Sequence, residues 1–519
     1  MSFSAAIVRA VSPRDTHRPT TPACKRKILP SAEESSSKKA LLITPSKMPK
    51  NISQSGELSV QPFHAPQQRF PRGIAHIVHQ YPRNNPLPVE RDKNGGAPWH
   101  NRHVLVPYNL RDPSVNIYEA EIRPLLYNIF PGTKSVTQAR FRGYLVFQVT
   151  DLPSAPWPIT VGGLPITISE ARKSGKGRAL IFPRQRSGRP SISILHGGFN
   201  ANRLSDKSLR KLALNVNTYF KQNFPAVHIL ELLFTCERTF YVIVGDHVEL
   251  NTMNWPARIA SYPVGYLHNK DLNRPDLMYR PANREIEPQP LRGIVDDTDY
   301  DILRPGVMIS NSTDTGYTHP ASTAGVLVKN PAGNIFMTAA SHAIGVTETA
   351  CRPRRPTETI GKAVAEISFT DVCLIKLDRG IQFSTQTFKE SDGICPQFTR
   401  LVTSDDKFGF STCYLNSLYT GLMDANIIMK SVKIQAEGTS NSTEERLRYV
   451  AYEWLYHGQE ESSNGGVELP DGVSGSSIWN DDGIIRGFYQ FFIREGQWKG
   501  FSACVSASEA VEAGYTLAT

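Results

Sequence analysis

The chain has 519 residues, of which 40% are hydrophobic and 20% charged, and its formal net charge is +10. That length exceeds one ordinary hydrophobic core, so two folded domains and a tail are expected. No run of about 18 apolar residues occurs, so the sequence offers no membrane-spanning helix and no membrane partner is expected.

The charge is unevenly spread. From Leu291 onward 19 Lys and Arg stand against 28 Asp and Glu, a net of −9, whereas the preceding residues hold 39 against 20, a net of +19. A basic half suits an acidic partner or nucleic acid, and equally the acidic half of its own chain. No nucleic-acid-binding motif accompanies the charge. The seven cysteines, Cys24, Cys236, Cys351, Cys373, Cys395, Cys413 and Cys504, are odd in number and contain no Cys-x-x-Cys pair. Residues 1–14 lack the apolar core of a secretory signal. Reduced thiols in an intracellular protein, cytoplasmic or nuclear, follow. Arg9 and Arg14 with no acid before Asp15 also fit a mitochondrial presequence. No metal site and no cofactor is expected.

In chain order, residues 1–68 read as a disordered basic tail, rich in Pro, Ser, Thr and Lys. Within it Lys25-Arg26-Lys27 reads either as a nuclear localisation signal or as plain solvated tail. Residues 69–272 form an α+β region without a recognisable family. Residues 122–130 suit a short helix; residues 139–149, 165–169 and 191–195 suit strands. Residues 204–224 give the clearest helix, with Leu209, Leu212, Leu214, Val216, Tyr219 and Phe220 at helical spacing and Ser205 as N-cap. Residues 227–234 and 240–244 read as a hairpin. The basic cluster Lys173, Lys176, Arg178, Arg184, Arg186 and Arg189 lies in a Ser/Gly-rich stretch and reads as a solvated loop. Prolines and the run Asp296-Asp297-Thr298-Asp299 mark 273–304 as a linker.

After Pro305 the texture changes to short strands and tight turns. Residues 324–329 and 335–340 flank the turn Asn330-Pro331-Ala332-Gly333-Asn334 and lead directly to Ser341-His342. Asp371 heads the apolar run Val372-Cys373-Leu374-Ile375-Lys376-Leu377. A carboxylate at the mouth of a buried strand needs a partner, and an imidazole N–H is a suitable one. Ser474 lies in Asp471-Gly472-Val473-Ser474-Gly475-Ser476, where flanking glycines permit unusual backbone angles. The backbone N–H groups of Gly472 and Ser474 are candidates for an oxyanion hole. Each signal is weak alone. Their order, His then Asp then Ser, differs from that of subtilisins and α/β-hydrolases.

These residues resemble the chymotrypsin/trypsin-like serine peptidase family. Thr338-Ala339-Ala340-Ser341-His342 resembles the family's Thr-Ala-Ala-His with one extra residue. Asp371 to Leu377 resembles its Asp-Ile-Ala-Leu-Leu-Lys-Leu, and Gly472-Val473-Ser474-Gly475-Ser476 its Gly-Asp-Ser-Gly-Gly. Residues 501–506 and 507–515 resemble its last strand and C-terminal helix. The resemblance covers about 215 residues, 305–519. It implies an all-β double barrel, a serine endopeptidase acting on protein or peptide substrate, and His342, Asp371 and Ser474 as catalytic triad. Val473 replaces the family's Asp before the nucleophile, which speaks against zymogen-style activation. Glu468, six residues before Ser474, would by resemblance sit at the base of a specificity pocket and favour Arg or Lys; an exposed acid in an acidic loop is the bland alternative. Phe488, Tyr489, Gln490 and Phe491 are candidate cleft walls or core. Two rival readings stand beside this one: a protease-fold binding module without activity, and a nucleic-acid-binding N-terminal region with a self-processing protease.

Overall fold

The computed structural model describes residues 103–518, outside 113, 139–142, 154–156, 172–185, 188, 195–198, 251–253, 276–297, 312–320, 354, 389–396, 408, 438–445 and 459–468. The chain divides into two compact units, Met1–Gln68 and Arg69–Thr519. All that follows concerns the second. The expected tail, the nuclear signal, much of the basic loop and most of the expected linker fall outside the described residues.

The C-terminal half forms two six-stranded antiparallel barrels. In the first, Met308–Asn311 pairs with Ala321–Thr323 on one side and Thr349–Arg352 on the other, and Arg355–Ile367, Val372–Leu377 and Ile335–Ala340 follow in turn. Ile335–Ala340 then pairs with Leu327–Lys329. Backbone bonds from Gly325 to Thr338 and from Thr338 to Val326, 2.8 and 3.0 Å, continue that pairing. The bent segment 321–329 thus closes the ring among the described residues. Ile309, Met337, Ala339, Ile360, Ala363, Cys373 and Ile375 fill the interior. Alternation puts Met337 with Ala339 and Cys373 with Ile375 on one face, and the register shift opposite Ala350 and Cys351 brings Ile360 in with Ala363.

In the second barrel the order is Thr412–Ser417, Ser477–Trp479, Ile484–Phe492, Phe501–Ser506, Arg446–Tyr456 and Gly421–Glu437, and the last pairs back with the first. Val326, Val372 and Leu374 of the first barrel pack with Tyr414, Leu422, Trp479, Phe488 and Val505 of the second. Each fully buried aliphatic or aromatic side chain of this kind contributes roughly 1.5–3 kcal/mol. Burial on both faces explains why all nine residues of Ile484–Phe492 are buried.

The seventeen-residue strand Gly421–Glu437 changes partner along its length. Residues 421–426 pair with Thr412–Ser417, and Met429–Lys433 pairs with Thr235–Glu231. The hairpin Ile229–Thr235 and Phe240–Val244, read in the sequence as part of a separate α+β region, therefore extends the sheet of the second barrel. The helix Asp206–Asn223 covers this extension with Leu209, Leu212, Ala213, Val216 and Phe220 against Leu232, Val432 and Ile434. Ser205 caps it in a reciprocal capping box with Ser208. A five-stranded sheet, His103–Val104, Thr160–Val161, Leu164–Glu170, Leu145–Val149 and Thr133–Gln138, carries the helix Ile122–Tyr127 and its own core.

Candidate active site

Asp371 closes the four-residue loop 368–371 of the hairpin between Arg355–Ile367 and Val372–Leu377, where Ile367 pairs with Val372. Phe369 and Asp371 both adopt left-handed backbone, φ 62° and 57°. Such angles cost an L-residue roughly 1–2 kcal/mol each, least for Asp and Asn. Thr370 ties the loop down: its N–H and hydroxyl both donate to the Ile367 carbonyl, at 3.0 and 2.6 Å.

His342 sits in the single helical turn Ser341–Ile344 that follows Ile335–Ala340. The Ser341 N–H donates to the Asp371 carbonyl (2.9 Å) and the His342 N–H to Asp371 Oδ1 (2.8 Å). His342 Nδ1 lies 2.5 Å from Asp371 Oδ2. With an ionised carboxylate as partner, Nδ1 carries the proton and Nε2 presents its lone pair. Main chain and carboxylate together leave the ring little freedom to turn.

Ser474 follows a 3₁₀ turn, Asp471–Val473. Its backbone lies against the strand Ala321–Thr323: the Ser474 carbonyl accepts from the Thr323 N–H and the Ser322 hydroxyl, both at 2.8 Å. The Thr323 hydroxyl donates to the Gly472 carbonyl (2.8 Å). Ser322 Oγ also accepts from the Ala340 N–H at 3.3 Å. One hydroxyl therefore bridges the nucleophile loop and the strand end two residues before His342. The structure brings the backbones of His342, Asp371 and Ser474 to one seam between the barrels. It does not join the side chains of His342 and Ser474: Ser474 is 1% exposed, and its hydroxyl has no hydrogen-bond partner among the described residues. Catalytic hydrogen bonds are often open in a free enzyme.

The 3₁₀ turn bears on the expected oxyanion donors. Its i→i+3 geometry begins with the Val473 N–H on the Pro470 carbonyl (3.2 Å) and aims the Asp471 carbonyl toward the Ser474 N–H. Gly472 is pressed on the buried Tyr419 ring, where a Cβ would stand 2.2 Å from Cζ.

The remaining site expectations fall in different places. Glu468 lies outside the described residues. Gln490 turns its amide to the Thr370 carbonyl, beside Asp371. Tyr489 packs with Val473 and Ile478, and Phe491 lies against Trp454, so both rings occupy core clusters. Among the described residues no group of three His, Cys, Asp or Glu is placed to hold a metal ion.

Three residues near the site escaped the sequence reading: Ser322, Thr323 and Glu366. The run Ala321-Ser322-Thr323-Ala324, small and hydroxylated at the head of a strand, was the signal for the first two. Glu366 is half-buried on Arg355–Ile367, opposite Cys373. Burial pushes its carboxyl up, and the charge of Asp371 adds to the rise. Nothing in local sequence marked it.

No protein-family model matches the chain, and no curated protein matches it. Among solved structures it is similar to trypsin-like serine proteases. A Nocardiopsis protease is 13% identical, with 42% of this chain and 100% of that one covered and a TM-score of 0.29. A glutamic-acid-specific serine protease is 12% identical over the same shares, TM-score 0.28. A chymotrypsin of Cellulomonas bogoriensis is 15% identical over the same shares, TM-score 0.27.

Proposed function

We propose that residues 305–519 are a serine endopeptidase. Ser474 Oγ attacks the peptide carbonyl while its proton passes to His342 Nε2. The C–N bond then breaks as His342 returns that proton to the leaving amine, and water hydrolyses the acyl ester by the same route. Asp371 holds the ring and stabilises the imidazolium. Gly472 and Ser474 supply the oxyanion N–H groups once the Asp471–Gly472 peptide turns out of its 3₁₀ setting. The observation that carries this reading is the His342–Asp371 pairing, three hydrogen bonds deep with the Ser341 N–H included, on a seam that Ser322 shares with Ser474. A fluorophosphonate probe should label the wild type on Ser474, located by mass spectrometry, and Ser474→Ala should not be labelled. Labelling that survives the substitution would overturn the assignment.

A second reading, a protease-fold binding module without activity, is favoured by the burial of the Ser474 hydroxyl and the 3₁₀ turn before it. Absence of labelling over a range of pH and probe concentrations, with the protein folded, would select it.

A further inference from the structure

We propose that a cavity with Arg238, Asn202 and Asn109 in its wall, and none of the active-site residues, binds an oxyanion carried on a small apolar body, a phosphate monoester or a carboxylate.

The cavity follows from the change of partner along strand Gly421–Glu437. On the barrel side the Ile427 N–H donates to the Ser411 carbonyl at 2.8 Å; on the hairpin side the Ile428 carbonyl accepts from the Cys236 N–H at 2.7 Å. Thr412–Ser417 and Ile229–Thr235 thus occupy successive stretches of one strand edge. Gly409 and Phe410 lead into the first, the turn Cys236-Glu237-Arg238 leads out of the second, and a wedge stays open between them. Its volume is about 650 Å³, within the roughly 300–1,000 Å³ of small-molecule sites. Leu164 and Pro165, both buried, join Phe410 and Ala201 as the apolar part of the wall.

The polar part offers donors. Arginine and main-chain N–H groups only donate, so an Asn beside one turns its carboxamide oxygen toward it and its NH2 away. Asn202 Oδ1 accepts from the Arg238 guanidinium at 2.8 Å, and Asn109 Oδ1 accepts from the Arg111 main-chain N–H at 3.1 Å. Neither NH2 has a partner among the described residues. The Arg111 guanidinium is engaged by the protein, donating to the Gly163 carbonyl at 2.6 Å and to the Asn426 carboxamide at 2.8 Å. Arg238 differs. Its guanidinium bonds to Asn202 and meets no carboxylate at ion-pair distance among the described residues. Its main chain is held left-handed, φ 55°, with its N–H on the Thr235 carbonyl at 2.9 Å. Two acids stand nearby. Asp112 lines the cavity, but its Oδ1 already accepts from the Ser114 N–H and hydroxyl at 2.8 and 2.7 Å. Glu237 is buried with its side chain against Gly143 and is not part of the wall. A half-buried guanidinium with donors to spare, and carboxamide NH2 groups in the same wall, suit an acceptor-only anion, for which charge-assisted hydrogen bonds are the strong ones.

The test titrates the full chain at one fixed salt concentration with phenyl phosphate, benzoate and the neutral benzyl alcohol, followed by ligand-observed NMR. At least one anion should bind with a dissociation constant below about 1 mM. Benzyl alcohol should bind at least about tenfold more weakly. Tighter phenyl phosphate assigns a phosphate monoester, and tighter benzoate a carboxylate. Arg238→Gln should weaken the better anion by about 10–100-fold, the usual worth of hydrogen bonds to a charged group. Asn202→Asp places a carboxylate on Arg238 from an exposed position and should weaken it as much; it decides the matter alone if Arg238→Gln fails to fold. Arg258→Gln removes the same charge from an exposed position on Pro256–Ile259 and should change the affinity by less than about twofold, since distant surface charge is screened. The proposal is overturned if neither anion binds the folded wild type up to about 10 mM, or if benzyl alcohol binds as tightly as both. It is equally overturned if the folded Arg238 and Asn202 variants bind like the wild type, or if Arg258→Gln weakens binding as much as they do, which would make the attraction one of overall charge.

Discussion

Two glycines decide how closely the nucleophile loop can approach its surroundings. Gly475 has φ 90°, and a Cβ there would come within 2.6 Å of the Thr323 carbonyl and 2.9 Å of the Ala340 nitrogen. Both conditions are met by the absence of a side chain, so the loop lies on the first barrel only because residue 475 is glycine. Gly472 meets a different obstacle, the side chain of Tyr419. A ring can be removed, whereas a backbone cannot. Gly472→Ala alone should destabilise the fold by roughly 1–3 kcal/mol, the usual cost of overpacking. Gly472→Ala combined with Tyr419→Ala should cost less than the two single changes together. Urea unfolding of the four proteins measures the coupling, and simple additivity would show that Tyr419 is not what confines the loop.

At the scale of elements, the N-terminus of helix Asp206–Asn223 is anchored by charge inside the second barrel. Asp206 takes Lys430 at 3.1 Å and the hydroxyls of Ser506 and Ser508 at 2.5 and 2.7 Å. Lys430 also meets Glu453 at 2.8 Å, and Glu453 holds the fully buried Arg486. Burial alone would push the Asp206 carboxyl up, but Lys430 and the two hydroxyls outweigh it, and the group titrates at about 2 against an ordinary 3.8. A depressed folded value means stability that is fully present above the unfolded value and is lost as pH falls from 3.8 toward about 2. Chemical denaturation between pH 5 and pH 2 should show this acid loss, and Asp206→Asn should remove its contribution. Lys430→Met leaves Asp206 facing no cation at 3 Å and should destabilise the protein by roughly 3–5 kcal/mol at pH 7, the cost of breaking a buried pair. A change within 0.5 kcal/mol would refute the anchoring role.

Local pattern served some elements well. Strands Ile335–Ala340, Val372–Leu377 and Phe501–Ser506 have the bounds expected from sequence, because each is a short apolar run stopped by polar or small residues. The helix Asp206–Asn223 follows its apolar stripe and cap. The long strands Gly421–Glu437 and Arg446–Tyr456 were not read. Each carries charge in its interior, Lys430 and Glu453 among them, and that charge makes sense only when the two strands pair and Lys430 faces Glu453.

For the molecule as a whole, the pairing of Met429–Lys433 with Ile229–Thr235 ties the first half of the chain to the second. Charge reinforces the tie: Arg210 meets Glu509 at 2.6 Å and Glu512 nearby, and Lys207 meets Asp405 at 2.8 Å. Part of the opposition between a basic and an acidic half is thus satisfied within the chain. A shortened protein starting at residue 300 would bare the backbone of 429–433 and the apolar side chains of Val432 and Ile434 under the missing helix. Such an edge invites pairing with other chains. We expect that shortened protein to aggregate or unfold under conditions where residues 69–519 stay monodisperse in size-exclusion chromatography; a stable, monodisperse product would show that the barrels stand without their extension.

Sequence by itself determined the order His342, Asp371, Ser474, the strands that lie next to the first two, and the glycines around the third, since all of these depend on local residue type and on two- or four-residue spacing. Only tertiary structure decided that Ser322 bridges two barrels, that Glu366 faces Cys373 across its hairpin, that Gln490 turns to Thr370, and that a hairpin two hundred positions away completes a sheet. Those are pairings between distant segments, set by register and packing, and no short window of sequence contains both partners.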